Sequence, residues 1–169
     1  MKKIQWKGII GFSVSALVIL ASTAFSFMKA DFSGDWALDQ QKSNLGEMGR
    51  FAPTKLKITQ EGSIITIVRT SAGQQGELVT TDKLTFDGKE STSTGGWEGA
   101  TRKAALKLTD DQNTMTVNAV TIASFNGTSF EIKAKETWSI SADAKVLTID
   151  SETTMQMGVT NTKLVYNKQ

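Results

Sequence analysis

Histidine and cysteine are both missing from this chain of 169 residues, and proline occurs once. Without histidine or cysteine there is no Ser-His-Asp triad, no thiol nucleophile, no zinc site built on imidazole or thiolate, and no disulfide framework. A single proline beside fourteen glycines fits a β-rich domain built from turns and excludes a proline-rich linker protein. No stretch keeps a helical period long enough to supply a crossover, so parallel strands joined by helices are excluded as well. Nucleic-acid binding would need a basic patch, and none is present. The acidic residues Glu61, Asp87, Asp110, Asp111 and Asp143 match no loop that encircles an ion. Gly95-Gly96-Trp97-Glu98-Gly99 lacks the Lys-Ser/Thr and helix of a phosphate loop. Neither a metal nor a cofactor is therefore expected.

What is present is a ten-residue phrase used three times: residues 58–67, 108–117 and 140–149. Each copy opens on an aliphatic residue and a hydroxyl residue (Ile58-Thr59, Leu108-Thr109, Ile140-Ser141) and crosses a short polar tip. Each leaves on apolar-Thr-apolar (Ile65-Thr66-Ile67, Met115-Thr116-Val117, Leu147-Thr148-Ile149). Alternation on both sides of a tight polar tip predicts a β-hairpin. One hairpin cannot hide its own apolar face, so three of them imply a larger antiparallel sheet or barrel.

The N-terminus reads differently. Lys2, Lys3 and Lys7 precede an uncharged run of 21 residues, 8–28, most apolar over 9–20 and followed by the small residues Ala21, Ser22 and Ala24. A basic start, a short apolar centre and small residues near a cut site describe a secretory signal peptide, assigned to residues 1–26. An uncleaved membrane anchor is the alternative, since about 20 residues can span a bilayer, but five Ser/Thr dilute the run. Removing those three lysines leaves 16 of the 19 basic residues against 17 acidic ones, so the formal charge falls from +2 to −1. Residues 27–169 are then expected to form one near-neutral domain, secreted or periplasmic and monomeric, with no membrane contact beyond the signal segment.

Period-two alternation sets in at Asp31, with Phe32, Gly34, Trp36 and Leu38 on one parity and Gly34 giving room for Trp36. Residues 39–53 break it and form a loop, with a helical turn expected near 42–45. Strands follow at 54–60, 63–71, 78–86, 89–94, 102–108, 114–123, 129–140, 146–156 and 159–167. Asp87-Gly88 and Asn126-Gly127 supply strong two-residue hairpin signals. Eight to ten consecutive strands joined by short turns give an all-β, antiparallel up-and-down sheet, and closure into a barrel removes two long unpaired edges. A barrel of this strand number holds side chains or one small ligand.

Aligning the three copies carries parity from hairpin to hairpin. Ile65, Met115 and Leu147 face inward, as do Ile67, Val117 and Ile149, and the same face continues into Arg69, Ala119 and Ser151. On the leading strands Leu56, Leu106 and Trp138 correspond, preceded by Thr54, Ala104 and Glu136. Three charges thereby fall on the apolar parity, Arg69, Arg102 and Glu136, with Asp82 a fourth candidate in line with Leu84 and Phe86. A buried charge needs a partner, a ligand or water. One reading has Arg69 or Arg102 anchoring a carboxylate while Trp36 and Trp138 line the apolar part of a cavity. The other has the charges at the barrel mouth or in an internal pair such as Arg69 with Asp82, and the tryptophans in the core. Glu136 is the carboxylate whose face suggests a raised pKa.

Ser33-Gly34-Asp35-Trp36 on the first strand, with Lys42-Ser43 after it, resembles the opening of small secreted bacterial proteins of the lipocalin-like superfamily. Glu136-Thr137-Trp138-Ser139 and the ending Thr162-Lys163-Leu164-Val165-Tyr166 are similar to phrases of the same group, so the likeness covers residues 31–169. The resemblance implies a ligand-binding calyx. The chain departs from lipocalins in lacking their cysteines and a C-terminal helix. The expected function is that of a non-enzymatic barrel holding a small, apolar or amphipathic ligand, with Trp36, Arg69, Arg102, Glu136 and Trp138 as ligand-binding residues. The alternative is a protein-interaction module with a filled barrel, an inhibitor or envelope factor anchored by Trp97.

Overall fold

The computed structural model describes residues 30–46, 49–73, 76–96, 99–110, 113–125 and 127–169. The expected signal segment and the Trp97 anchor lie outside them. Ten strands appear in chain order: β1 (Gly34–Leu38), β2 (Pro53–Glu61), β3 (Ile64–Gly73), β4 (Gly76–Thr85), β5 (Ser91–Thr94), β6 (Thr101–Leu108), β7 (Thr114–Phe125), β8 (Thr128–Ile140), β9 (Val146–Met155) and β10 (Gly158–Lys168). They form one antiparallel sheet in the order β4-β3-β2-β1-β10-β9-β8-β7-β6-β5. The first strand pairs with the last, so the chain closes where an up-and-down barrel is usually joined. Its seam falls instead between β4 and β5.

That seam corrects the hairpin expected at Asp87-Gly88. The turn exists, because Asp87 Oδ1 accepts from Thr85 Oγ1 at 2.6 Å and from the Lys89 amide at 3.2 Å. It does not zip β4 onto β5. Asp87 bridges to Lys107 of β6, which sends the chain on to pair β5 with β6 (Ser91↔Ala104 to Thr94↔Thr101). The helical turn expected near 42–45 falls instead at Gly49–Phe51.

All three repeated phrases are hairpins, but their registers differ. Leu108 faces Met115 and Ile140 faces Leu147, the same step in both copies, whereas in the first copy Ile58 faces Ile67. The later two copies use their hydroxyl residue to hold the turn: Thr109 Oγ1 accepts from the Thr114 amide at 3.2 Å, Ser141 Oγ from the Val146 amide at 2.9 Å. In the first copy the ladder runs on to Glu61↔Ile64, and Gly62, at φ +59°, takes the left-handed conformation such a tip requires. The slip is by two residues, and a shift of two leaves every side chain on its original face. Ile65, Ile67, Met115, Val117, Leu147 and Ile149 are all buried.

These three turns lie at one end of the barrel, and that end is packed. Phe32 crosses it fully buried, with its amide hydrogen-bonded to Gln60 Oε1 and its carbonyl accepting from Trp36 Nε1 at 3.0 Å. Ile58, Leu84 and Leu106 complete the core around it. Each such side chain taken fully out of water contributes about 1.5–3 kcal/mol. At the other end β2 begins with a register irregularity between Pro53 and Lys55. The extra residue turns Thr54 outward, where it is exposed, and brings Pro53 to the interior, so the inward position expected for Thr54 is not the one it takes.

Candidate functional site

Halfway along the barrel the inward residues change from aliphatic to charged. On β3 the inward row reads Ile65, Ile67, Arg69, Ser71; on β4, from the closed end, Leu84, Asp82, Thr80; on β6, Leu106, Ala104, Arg102; on β8, Trp138, Glu136, Ala134. The four charges meet. Arg69 Nη1 bonds Asp82 Oδ2, and Arg102 Nε reaches the same oxygen at 3.1 Å. Arg69 Nη2 lies 3.3 Å from Glu136 Oε2, and Arg102 Nη2 lies 3.3 Å from Glu136 Oε1. The result is a closed ring of alternating sign, Arg69–Asp82–Arg102–Glu136, spanning the interior from β3 and β4 to β8.

The ring has two further donors. Ser93 Oγ on β5 donates to Asp82 Oδ1 at 2.6 Å, and Trp138 Nε1 donates to Glu136 Oε2 at 2.9 Å. The Arg69 guanidinium carbon sits 5.6 Å from the centre of the Trp138 ring, within cation–π range. Asp82 thus ties β4 to Ser93 on β5 and Arg102 on β6, so side chains close the seam that the backbone ladder leaves open. Charged pairs at low exposure hold only when the remaining lone pairs are satisfied. Here all four carboxylate oxygens are, and among the described residues no buried side-chain nitrogen or oxygen lacks a partner.

Electrostatics follow from that geometry. Burial pushes the Asp82 carboxyl up, but Arg69 and Arg102 outweigh it and hold Asp82 below the usual carboxylate range. Glu136 behaves alike: burial raises it, Arg69, Arg102 and the Trp138 indole lower it more, and the net shift is downward. This corrects the raised pKa expected for Glu136, since inward parity alone does not disclose two guanidiniums beside it. Burial works against the charge on Arg69, yet Glu136 and Asp82 raise its pKa overall. Tyr166 is fully buried, which pushes its hydroxyl up and keeps it neutral, and it donates to the Pro53 carbonyl at 3.0 Å.

Above the ring the barrel opens into a cavity of about 310 Å³. Arg69, Arg102 and Glu136 form its floor with Trp138, Leu56 and Tyr166. Its walls carry hydroxyls from Ser71, Thr80, Thr121, Ser151, Thr153 and Thr162 and apolar surface from Leu78, Ile132 and Leu164. Phe51 and Gly95-Gly96 stand at the mouth. Of the five residues singled out in the sequence, Arg69, Arg102, Glu136 and Trp138 are brought together here. Trp36 does not join them. It is 1% exposed, packs in the closed half under Lys168 (5.2 Å from its ring), and is absent from the described lining residues. Gly34, at φ +144°, leaves the space that the Lys168 stem occupies over that ring, so its smallness serves the lysine as well as the tryptophan.

Sequence reasoning passed over Ser93 and, apart from Ser151, which it placed on the inward face, the hydroxyl wall. Ser93 lies on an all-polar strand with no alternation to read. The wall residues share parity with the core, and that was the signal available for them. Among the described residues no group of His, Cys, Asp or Glu is placed to hold a metal ion.

The sequence matches no protein-family model and no curated protein. Among solved structures, the zebrafish ileal bile acid-binding protein complexed with cholic acid is similar, at TM-score 0.52 and 20% identity, over 82% of this chain and 98% of that one. At that identity the likeness is one of fold: an all-β, nearly closed, lipocalin-like barrel.

Proposed function

We propose that this protein binds a small, partly apolar molecule non-covalently in the open half of its barrel. One observation carries the reading: a cavity of about 310 Å³ bounded by apolar, hydroxyl and charged groups, with the opposite half of the same barrel filled by side chains. Small-molecule sites are concave, largely preformed and mostly apolar with a few placed polar groups, commonly about 300–1,000 Å³. The ligand would rest on Trp138 and the ring of Arg69, Arg102 and Glu136. That a barrel of similar fold is a bile acid-binding protein adds support. The protein works as a binder, without catalysis, in a secreted or periplasmic setting, a placement supported by the basic-apolar-small order of residues 1–26.

Native mass spectrometry of the protein purified from its own host tests this. The expected result is a retained small molecule that is released on unfolding and is lost in Thr153→Trp, which fills the cavity from β9. A protein that carries no adduct and takes none up from a host lipid and metabolite extract would overturn it. The second reading, an interaction module, is favoured by the exposure of Phe51 (42%), Met157 (95%) and Val159 (58%) at the open end. Retention of a macromolecular partner in the same experiment would select it.

A further inference from the structure

We propose that the ligand group reaching the floor of this cavity is uncharged, a hydroxyl or carbonyl on a compact apolar body, and that the neutral charge ring rejects carboxylates and amines of the same size. The inference rests on the cavity being a ligand site and names what that site selects.

The ring is electrically complete. Its two guanidiniums and two carboxylates sum to zero, and each carboxylate oxygen already has a donor: Asp82 Oδ1 from Ser93, Asp82 Oδ2 from both arginines, Glu136 Oε1 from Arg102, Glu136 Oε2 from Arg69 and Trp138. Among the described residues lining the cavity, Tyr166 is the one ionisable side chain besides Arg69, Arg102 and Glu136, and its hydroxyl proton goes to Pro53. An incoming carboxylate must therefore compete with Glu136 or Asp82 for an arginine. Displacing either one leaves a poorly solvated anion without its partner, the costly outcome for any enclosed ion pair. An incoming ammonium meets two guanidiniums, and each carboxylate oxygen that could pair with it already accepts from an arginine, Ser93 or Trp138.

A neutral group meets neither obstacle. Each serine or threonine hydroxyl offers one donor and two acceptor lone pairs. Ser71, Thr80, Thr121, Ser151, Thr153 and Thr162 line the wall, and their hydroxyls make no hydrogen bond within the described residues. They can donate to a carbonyl or accept from an alcohol without disturbing the ring. The cavity lies at the small end of the range for ligand sites, which favours a compact body over a long chain.

The test uses 1-octanol, octanoate and octylammonium, which share one alkyl chain and differ in head-group charge. Binding to the full chain is read near neutral pH by displacement of the neutral dye N-phenyl-1-naphthylamine. Octanol should displace the dye at least about tenfold more tightly than either ion, a difference of about 1.4 kcal/mol. Octanoate or octylammonium binding as well as octanol overturns the inference. Dye uptake that no probe reverses, or no uptake at all, removes the ligand-site reading itself and this inference with it. Glu136→Gln gives the floor a net positive charge while keeping an acceptor for the Trp138 indole. In that variant the octanoate-to-octanol affinity ratio should rise about tenfold. An unchanged ratio would mean that charge balance is not the selector.

Discussion

The two halves of this barrel are built from the same strands on the same inward parity, yet one is filled and the other hollow. Below the ring, Ile65, Ile67, Leu106, Met115, Val117 and Leu147 are completely buried. Above it the inward rows continue as Ser71 on β3, Thr121 on β7, Ser151 and Thr153 on β9 and Thr162 on β10, with alternation intact and side chains small or polar. Strand geometry decides which face a residue occupies and is indifferent to what fills the space behind it. The difference between the halves is therefore one of side-chain volume and polarity. The ring of Arg69, Asp82, Arg102 and Glu136 marks the boundary, belonging to the packed half by its low exposure and to the cavity by its chemistry.

The most severe way to break that boundary is to remove one member of the ring. Asp82→Ala leaves Arg69 and Arg102 sharing Glu136 and deprives Ser93 of its acceptor across the β4–β5 seam. Losing one partner of a buried pair costs about 3–5 kcal/mol, and urea unfolding should show a loss of that size. A loss below about 1 kcal/mol would mean that solvent in the cavity compensates the arginines and that the ring belongs to the open half.

A paired measurement sharpens the contrast between the halves. Leu106→Ala, in the packed half, should cost about 2–5 kcal/mol. Thr153→Ala, on the cavity wall, should stay within about 0.5 kcal/mol. Equal costs at the two sites would erase the distinction drawn here.

Acid gives a graded and milder perturbation. Asp82 and Glu136 both have folded-state pKa values below their unfolded ones. Each therefore contributes stability that is present above the unfolded values, about 4, and is lost as pH falls through the folded ones. With no histidine in the chain, no side chain has an ordinary pKa between about 5 and 8. The urea midpoint should be nearly flat from about pH 7 to 5 and decline below about 4. Asp39, Asp87 and Asp143 on the surface are also held low. The informative quantity is thus the difference between the native chain and the double variant Asp82→Asn, Glu136→Gln, which should show the shallower decline. Identical acid limbs would place the pH sensitivity on the surface.

Much of this architecture was legible in the residues. Alternation located nearly every strand, and the thrice-used phrase fixed the inward set, which survived a two-residue register slip because such a slip preserves faces. The same parity placed Arg69, Arg102, Glu136 and, with less emphasis, Asp82 on the inside. It misled at Thr54, where one extra residue in β2 exchanges the faces, and at Asp87-Gly88, where the turn chemistry is present but the next strand pairs elsewhere. Trp36 and Trp138 looked equivalent because both are inward tryptophans; one lies in the packed half and the other under the cavity.

By itself, then, the sequence determined an antiparallel all-β sheet, its strands, and which side chains turn away from water, because those properties depend on period and on local turn chemistry. Only the tertiary structure decided where the barrel is seamed, that four inward charges from β3, β4, β6 and β8 neutralise one another, and that the space beyond them is open. Those facts depend on which strands curl round to face each other across the interior. Residues far apart along the chain meet there by closure of the whole sheet, and no local pattern records the meeting.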